Sequence, residues 1–125
     1  MRARTLDPEA VVYRLLEARI TRRENNPEQA LQMLLAMGHD VLLSEASLLE
    51  EAALCYGLLQ RPADAAELYA QAVERLPDSA ILIYETALWY DRAGIDDVAL
   101  VYAQRAARIG HDEAQFLADR LSSGE

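Results

Sequence analysis

The chain has no lysine, one cysteine (Cys55), one tryptophan, one phenylalanine, five glycines and four prolines in 125 residues. Each shortage excludes something. A single cysteine allows no intrachain disulfide and no paired-thiol metal site. With glycine and proline sparse, β-branched runs nearly absent and Ala and Leu abundant, the composition points to an all-α chain. No stretch approaches the roughly 18 uninterrupted apolar residues of a membrane span. The opening residues, Met1 to Pro8, carry charge but no apolar core, so they do not read as a secretory signal. A cytoplasmic location is expected, or a periplasmic one if the chain is a piece of a longer exported protein.

Catalytic patterns are also missing. There is no Gly-rich phosphate loop, no His-Glu-x-x-His and no nucleophile elbow, so neither an enzyme nor a cofactor is expected. Gly38-His39-Asp40 is echoed by Gly110-His111-Asp112. The two stand 72 residues apart, and structural zinc wants four ligands at close spacing, so no metal is expected. Cys55 lies beside a core tyrosine and reads as a small buried hydrophobe with no base at hand.

Charge is uneven. Up to Arg23 six arginines face three acids, a net of +3; from Glu24 onward six arginines face eighteen acids, a net of −12, together the overall −9. An acidic body repels phosphate backbones, which excludes nucleic acid as a partner.

Helix signals follow in order. Asp7-Pro8 is a cap residue followed by a first-turn proline. Asn26 with Gln29 and Asp112 with Gln115 each have capping-box spacing. Gly38 and Gly110 read as helix stops, and Gly94 as a tight turn. The first helix is expected to run to about Glu24, although Leu15, Leu16, Ala18 and Ile20 leave its register open by one residue.

A period runs through the chain. Leu49, Ala52, Ala53 and Tyr56 share one helix face; Pro62 opens a second helix with Ala65, Tyr69 and Ala72 on its face, and Pro77 closes the unit. Ile83, Thr86, Ala87 and Tyr90 stand 34 residues after the first set, with Ala99 and Ala106 following Ala65 and Ala72 at the same interval. Ala30, Leu34 and Met37 precede Ala65, Tyr69 and Ala72 by 35. This pattern of large, small, small and aromatic positions resembles the tetratricopeptide repeat (TPR) family.

The resemblance implies antiparallel helix pairs stacked as a right-handed superhelical solenoid of about seven helices. It divides one domain, 1–125, into repeats at 11–45, 46–79 and 80–113 and a capping helix at 113–121. It also implies a concave groove lined by the first helix of each pair. Carried onto this chain, the groove falls on Leu54 and Leu58, on Ile81, Tyr84, Leu88 and Arg92, and at the basic end on Arg19, Arg22 and Arg23. These would form an apolar strip with cationic flanks for a partner segment bearing apolar anchors and acids.

The implied function is a non-catalytic adaptor or scaffold that binds another protein's peptide or helix. The alternative is a segment of a longer TPR array or a self-associating structural unit, as in a secretion or export scaffold, so a homo-oligomer is admitted. Neither reading involves nucleic acid or a membrane.

Overall fold

A computed structural model describes residues 7–123, which form eight α-helices and no strand among the described residues. Two compact units divide the chain, 1–60 and 61–125. The two helices of the second sequence repeat, at 46–58 and 62–75, fall on either side of that boundary.

The first unit holds α1 (Pro8–Arg23), α2 (Pro27–Leu35), α3 (His39–Ser44) and α4 (Ala46–Leu58). Asp7 caps α1 as its sequence predicts, its Oδ1 accepting from the Glu9 N–H at 3.0 Å. The α1 and α2 helices pack together, α2 packs on α4, and α4 also touches α1 and α3. Ala18, Ala30 and Ala52 are fully buried, and side chains this small let helix backbones approach. Leu34, Leu42, Leu48 and Leu49 fill the space around them.

The second unit holds α5 (Pro62–Arg75), α6 (Ala80–Arg92), α7 (Asp96–Ile109) and α8 (Asp112–Ser122), each packed on the next. An alanine stripe, Ala99, Ala103 and Ala106, is wholly buried along α7. Ala103, where the family has an aromatic, joins Ala87, Leu117 and Ala118 in one cluster with Tyr102 and Leu121 packed against it. Thr86 occupies the small-residue position of Ala52, and its buried hydroxyl is satisfied by donating to the Leu82 carbonyl at 2.7 Å. Arg105 reaches back to the Pro77 carbonyl at 2.9 Å and holds the α5–α6 turn.

The period is also written in the backbone. Asn25, Gln60 and Gly94 all have positive φ, at 68°, 61° and 77°, and stand 35 and 34 residues apart. Each follows the first helix of a repeat. After Asn25 and Gly94 the next N–H bonds the carbonyl five residues back, Asn26 to Thr21 and Ile95 to Tyr90, closing the helix end by the Schellman pattern. Gly110 (φ 110°) ends α7 in the same way, through His111 to Ala106.

Three local expectations differ from the structure. Residues 39–44 form a helix of their own, α3, because Gly38 (φ 99°) redirects the chain and its carbonyl accepts from the Leu42 N–H; this helix brings the total to eight rather than about seven. Asn26 sits at the N-cap of α2, but its side chain makes no capping bond. At α8 the N-cap is His111, not Asp112, and the Gln115 amide donates to Asp119 at 2.9 Å instead of turning back to a cap. Acids at 112 and 113 still stabilise that helix start through the macrodipole.

Candidate protein-binding surface

In the first unit, the groove side assigned to α4 carries Leu54 and Leu58, one helical turn apart and 37% and 57% exposed. The same helix buries Glu51, which is only 2% exposed. A buried carboxylate requires partners, and α1 supplies two. Arg19 Nε donates to Glu51 at 3.3 Å, and Arg22 donates through both Nε and Nη2, the latter also at 3.3 Å. Hydrogen bonding to Glu51 raises the Arg22 pKa against the opposing effect of burial.

Two of the three arginines assigned to the basic end therefore spend their charge inside the chain. The physical reason is that Glu51 faces α1 one turn before Cys55, where no water can solvate it. Arg23 is exposed. Cys55 is fully buried, and desolvation, with the neighbouring Glu51 charge, raises its thiol from 9.0 to about 11.

In the second unit, Ile83 and Ala87 of α6, two of the repeat positions, are fully buried, and Trp89 is nearly so. Tyr90 is half-buried and stacks on Tyr102, with ring centroids 5.7 Å apart. Ile81 stands 69% exposed. Arg92 is exposed and lies over the Trp89 ring at 4.5 Å, a cation–π contact.

Tyr84 and Leu88 are half-buried and pack against the Ala87–Ala103–Leu117–Ala118 cluster. The start of α8 covers part of Tyr84. His111 stacks on its ring with centroids 4.1 Å apart, and its hydroxyl donates to Glu113 over a long 3.4 Å. Desolvation, then the Glu113 charge, raises the Tyr84 pKa. The His111 Nδ1 is buried without a hydrogen-bond partner. Tyr84 and Leu88 thus serve as wall as well as surface, whereas Leu54, Leu58, Ile81 and Arg92 are open to solvent.

Sequence reasoning missed Glu51, His111 and Glu113. Glu51 had a signal, an acid directly preceding two core alanines, with arginines three apart on the basic helix. His111 had only its place in the turn, and nothing in its spacing from Tyr84 announced a stack. Among the described residues no group of three or more metal-ligating side chains is present. No helix among them is long and apolar enough to cross a membrane.

No protein-family model matches the chain, and no curated protein does. Solved structures do. The type III secretion translocator chaperone SycD of Yersinia enterocolitica matches with a TM-score of 0.65 at 13% identity, over 95% of this chain and 83% of that one. PcrH, solved in complex with the chaperone binding region of PopB, matches with a TM-score of 0.66 at 13% identity, over 97% of this chain and 98% of the other. PcrH with the chaperone binding region of PopD gives 0.64 at 14%, over 98% and 92%. The chain has the fold of these TPR-like chaperones, an all-α arrangement of packed antiparallel helix pairs.

Proposed function

We propose that the chain is a non-catalytic binding module that takes an extended or helical segment of a partner protein on the first-helix faces of its repeats, in the manner of a secretion chaperone. The observation that carries this reading is likeness of fold over nearly the whole chain to PcrH, which was solved holding the chaperone binding regions of PopB and PopD. Apolar side chains left open within each unit support it, Leu54 and Leu58 on α4 and Ile81 on α6, because exposed apolar residues mark contact sites. Arg92 and Arg23 would meet acids on the partner. A cytoplasmic location belongs to the same reading.

The test is selection of peptides from a displayed library, followed by titration against variants. Leu58→Glu and Ile81→Glu change solvent-facing positions, so both should melt like the parent while binding selected peptides at least about tenfold more weakly. Tyr84→Ala should lose both binding and stability, because its ring is also the partner of His111. Unchanged peptide affinity in Leu58→Glu and Ile81→Glu would refute the surface.

A second reading, a self-associating unit, is favoured by a separate observation. Val12, Tyr13, Leu16 and Ile20 of α1 are all 48% or more exposed.

A further inference from the structure

Phe116 of α8 is 75% exposed, more than any other large apolar side chain among the described residues. Two contacts tie its helix to α6. The Tyr84 hydroxyl donates to Glu113, and Arg120 donates to Asp91. Both join residues 29 apart, so α6 and α8 run in the same direction at one fixed offset. That offset sets Phe116 level with Ala87 and Leu88.

The rotation of each helix then decides where the side chains point. At about 100° per residue, Ile81 and Leu88 lie about 40–80° around α6 from the tied residues Tyr84 and Asp91. They turn away from Ala87, which packs with Ala103 of α7. Phe116 is turned about 40–60° from Glu113 and Arg120, away from the buried Leu117 and Ala118. Ile81, Leu88 and Phe116 therefore converge on one side of the α6–α8 pair, opposite α7, with the two ties beneath them. Ile81 is 69% exposed and Leu88 half-buried. Arg92, one turn past Leu88, stands at the far end; its guanidinium lies over the Trp89 ring and forms no ion pair among the described residues.

The spacing selects the form of the occupant. Seven helical residues separate Ile81 from Leu88, a rise of about 10.5 Å. Two side chains on one face of a partner helix, seven residues apart, reproduce that rise, which is the usual spacing of helix-in-groove anchors. Same-face positions along an extended strand fall about 6.7 or 13 Å apart and miss one of the two. Arg92 is complemented by an acid, and an acid is best placed in the first turn of a helix, where the macrodipole favours it. A partner helix antiparallel to α6 satisfies all three positions. Its first-turn acid meets Arg92, an apolar residue four later enters between Leu88 and Phe116, and another seven after that covers Ile81.

We propose that Phe116 makes α8 the second wall of the α6 binding face, and that this groove takes an amphipathic α-helix of a partner protein with an acid at i and apolar residues at i+4 and i+11. The inference rests on the partner-binding reading of α6; it specifies the form of the bound segment and gives α8 a part in binding beyond covering the stack.

The test uses a designed helical peptide with Glu at i and Leu at i+4 and i+11, titrated by fluorescence anisotropy and circular dichroism. It should bind and gain helical signal on binding, and a peptide of the same composition with the leucines moved to opposite faces should bind at least about tenfold more weakly. Phe116→Ala should weaken binding about tenfold with the melting temperature unchanged, because the ring is 75% exposed. Ile81→Glu should do the same. Arg92→Glu should weaken it several-fold, and a peptide with Arg in place of its Glu should restore it.

Binding of the designed peptide, or of library-selected ones, that falls with Ile81→Glu but not with Phe116→Ala overturns the two-walled groove and leaves the α6 face standing. So does a designed peptide that fails to bind while selected peptides remain sensitive to Ile81→Glu. Selected peptides that bind there with no gain of helix overturn the helical occupant. Indifference of every peptide to both substitutions overturns the groove together with the α6 part of the binding reading.

Discussion

Removing the Glu51 carboxylate is the sharpest perturbation the structure offers. Glu51 is 2% exposed and accepts three hydrogen bonds from Arg19 and Arg22, whose side chains are 37% and 18% exposed. Glu51→Ala leaves two guanidinium groups against each other and an emptied site beneath them. Stranding one partner of a buried ion pair costs about 3–5 kcal/mol. Arg19 can turn to water and contributes little of that, which brings the expected loss to about 2–3 kcal/mol. At this chain length that is a fall of about 5–10 °C in melting temperature.

Glu51→Gln keeps the shape and one acceptor oxygen but not the charge, and should cost about half as much. The double change Glu51→Leu with Arg22→Met replaces the pair by apolar groups of similar length and should lie near the parent. The assay is thermal and urea unfolding, with far-UV circular dichroism reading all the helices and the fluorescence of Trp89, the only tryptophan, reading the second unit. If Glu51→Ala melts within about 1 °C of the parent, or if the double variant is as damaged as the single one, the pair does not hold α1 to α4 and the reasoning fails.

Two further outcomes can be checked. Gln60 holds φ at 61° without the freedom of glycine, so Gln60→Gly should stabilise by about 0.5–1 kcal/mol, the relieved strain outweighing the added freedom of the unfolded chain; urea midpoints would show it, and a drop would mean the side chain earns its place. Because the Cys55 thiol is raised from 9.0 to about 11 in the folded chain, its contribution to stability is complete below pH 9 and is lost as pH climbs through 11, by about 2 kcal/mol. Tyr84 and Tyr90, also raised by burial, act in the same direction at higher pH, so Cys55→Ala should flatten only the first part of the alkaline fall.

Repetition made much of the fold legible. A side chain that recurs at a fixed interval reports a recurring contact, and so the alanines at 30, 65 and 99 could be placed in the core before any coordinates; all three are fully buried. The turns were legible for the same reason at Gly94 and Gly110. They were less so at Asn25, whose type suits the left-handed conformation but equally suits a helix cap, and not at all at Gln60, whose type does not announce it. The short helix α3 was hidden because a six-residue helix has too few turns for periodicity to separate it from a loop.

The family resemblance, not apolar spacing, assigned Leu54, Leu58 and Ile81 to a groove; the structure leaves all three exposed. The resemblance could not say that α8 would partly cover Tyr84 and Leu88, since that depends on where a helix about 30 residues later comes to rest. Nor could charge counting find the fate of Arg19 and Arg22. Arginines on a helix suit a face that pairs with nearby Glu, but counting charges does not single out Glu51, the carboxylate on α4 that is sealed from water and takes Arg19 and Arg22 as its counterions.

The first helix draws the boundary most clearly. Its sequence by itself determined that residues 8–23 would be helical, through the Asp7-Pro8 start and unbroken apolar spacing. It could not determine which way the helix faces, because Val11, Leu15 and Ala18 make one apolar stripe and Val12, Leu16 and Ile20 make another, turned roughly 130° around the helix. Local periodicity scores the two alike. The choice fell to tertiary structure: Ala18 is the residue small enough to lie flat against the neighbouring helices, and Arg22, one turn on, reaches Glu51, so the first stripe went in and the second was left facing water.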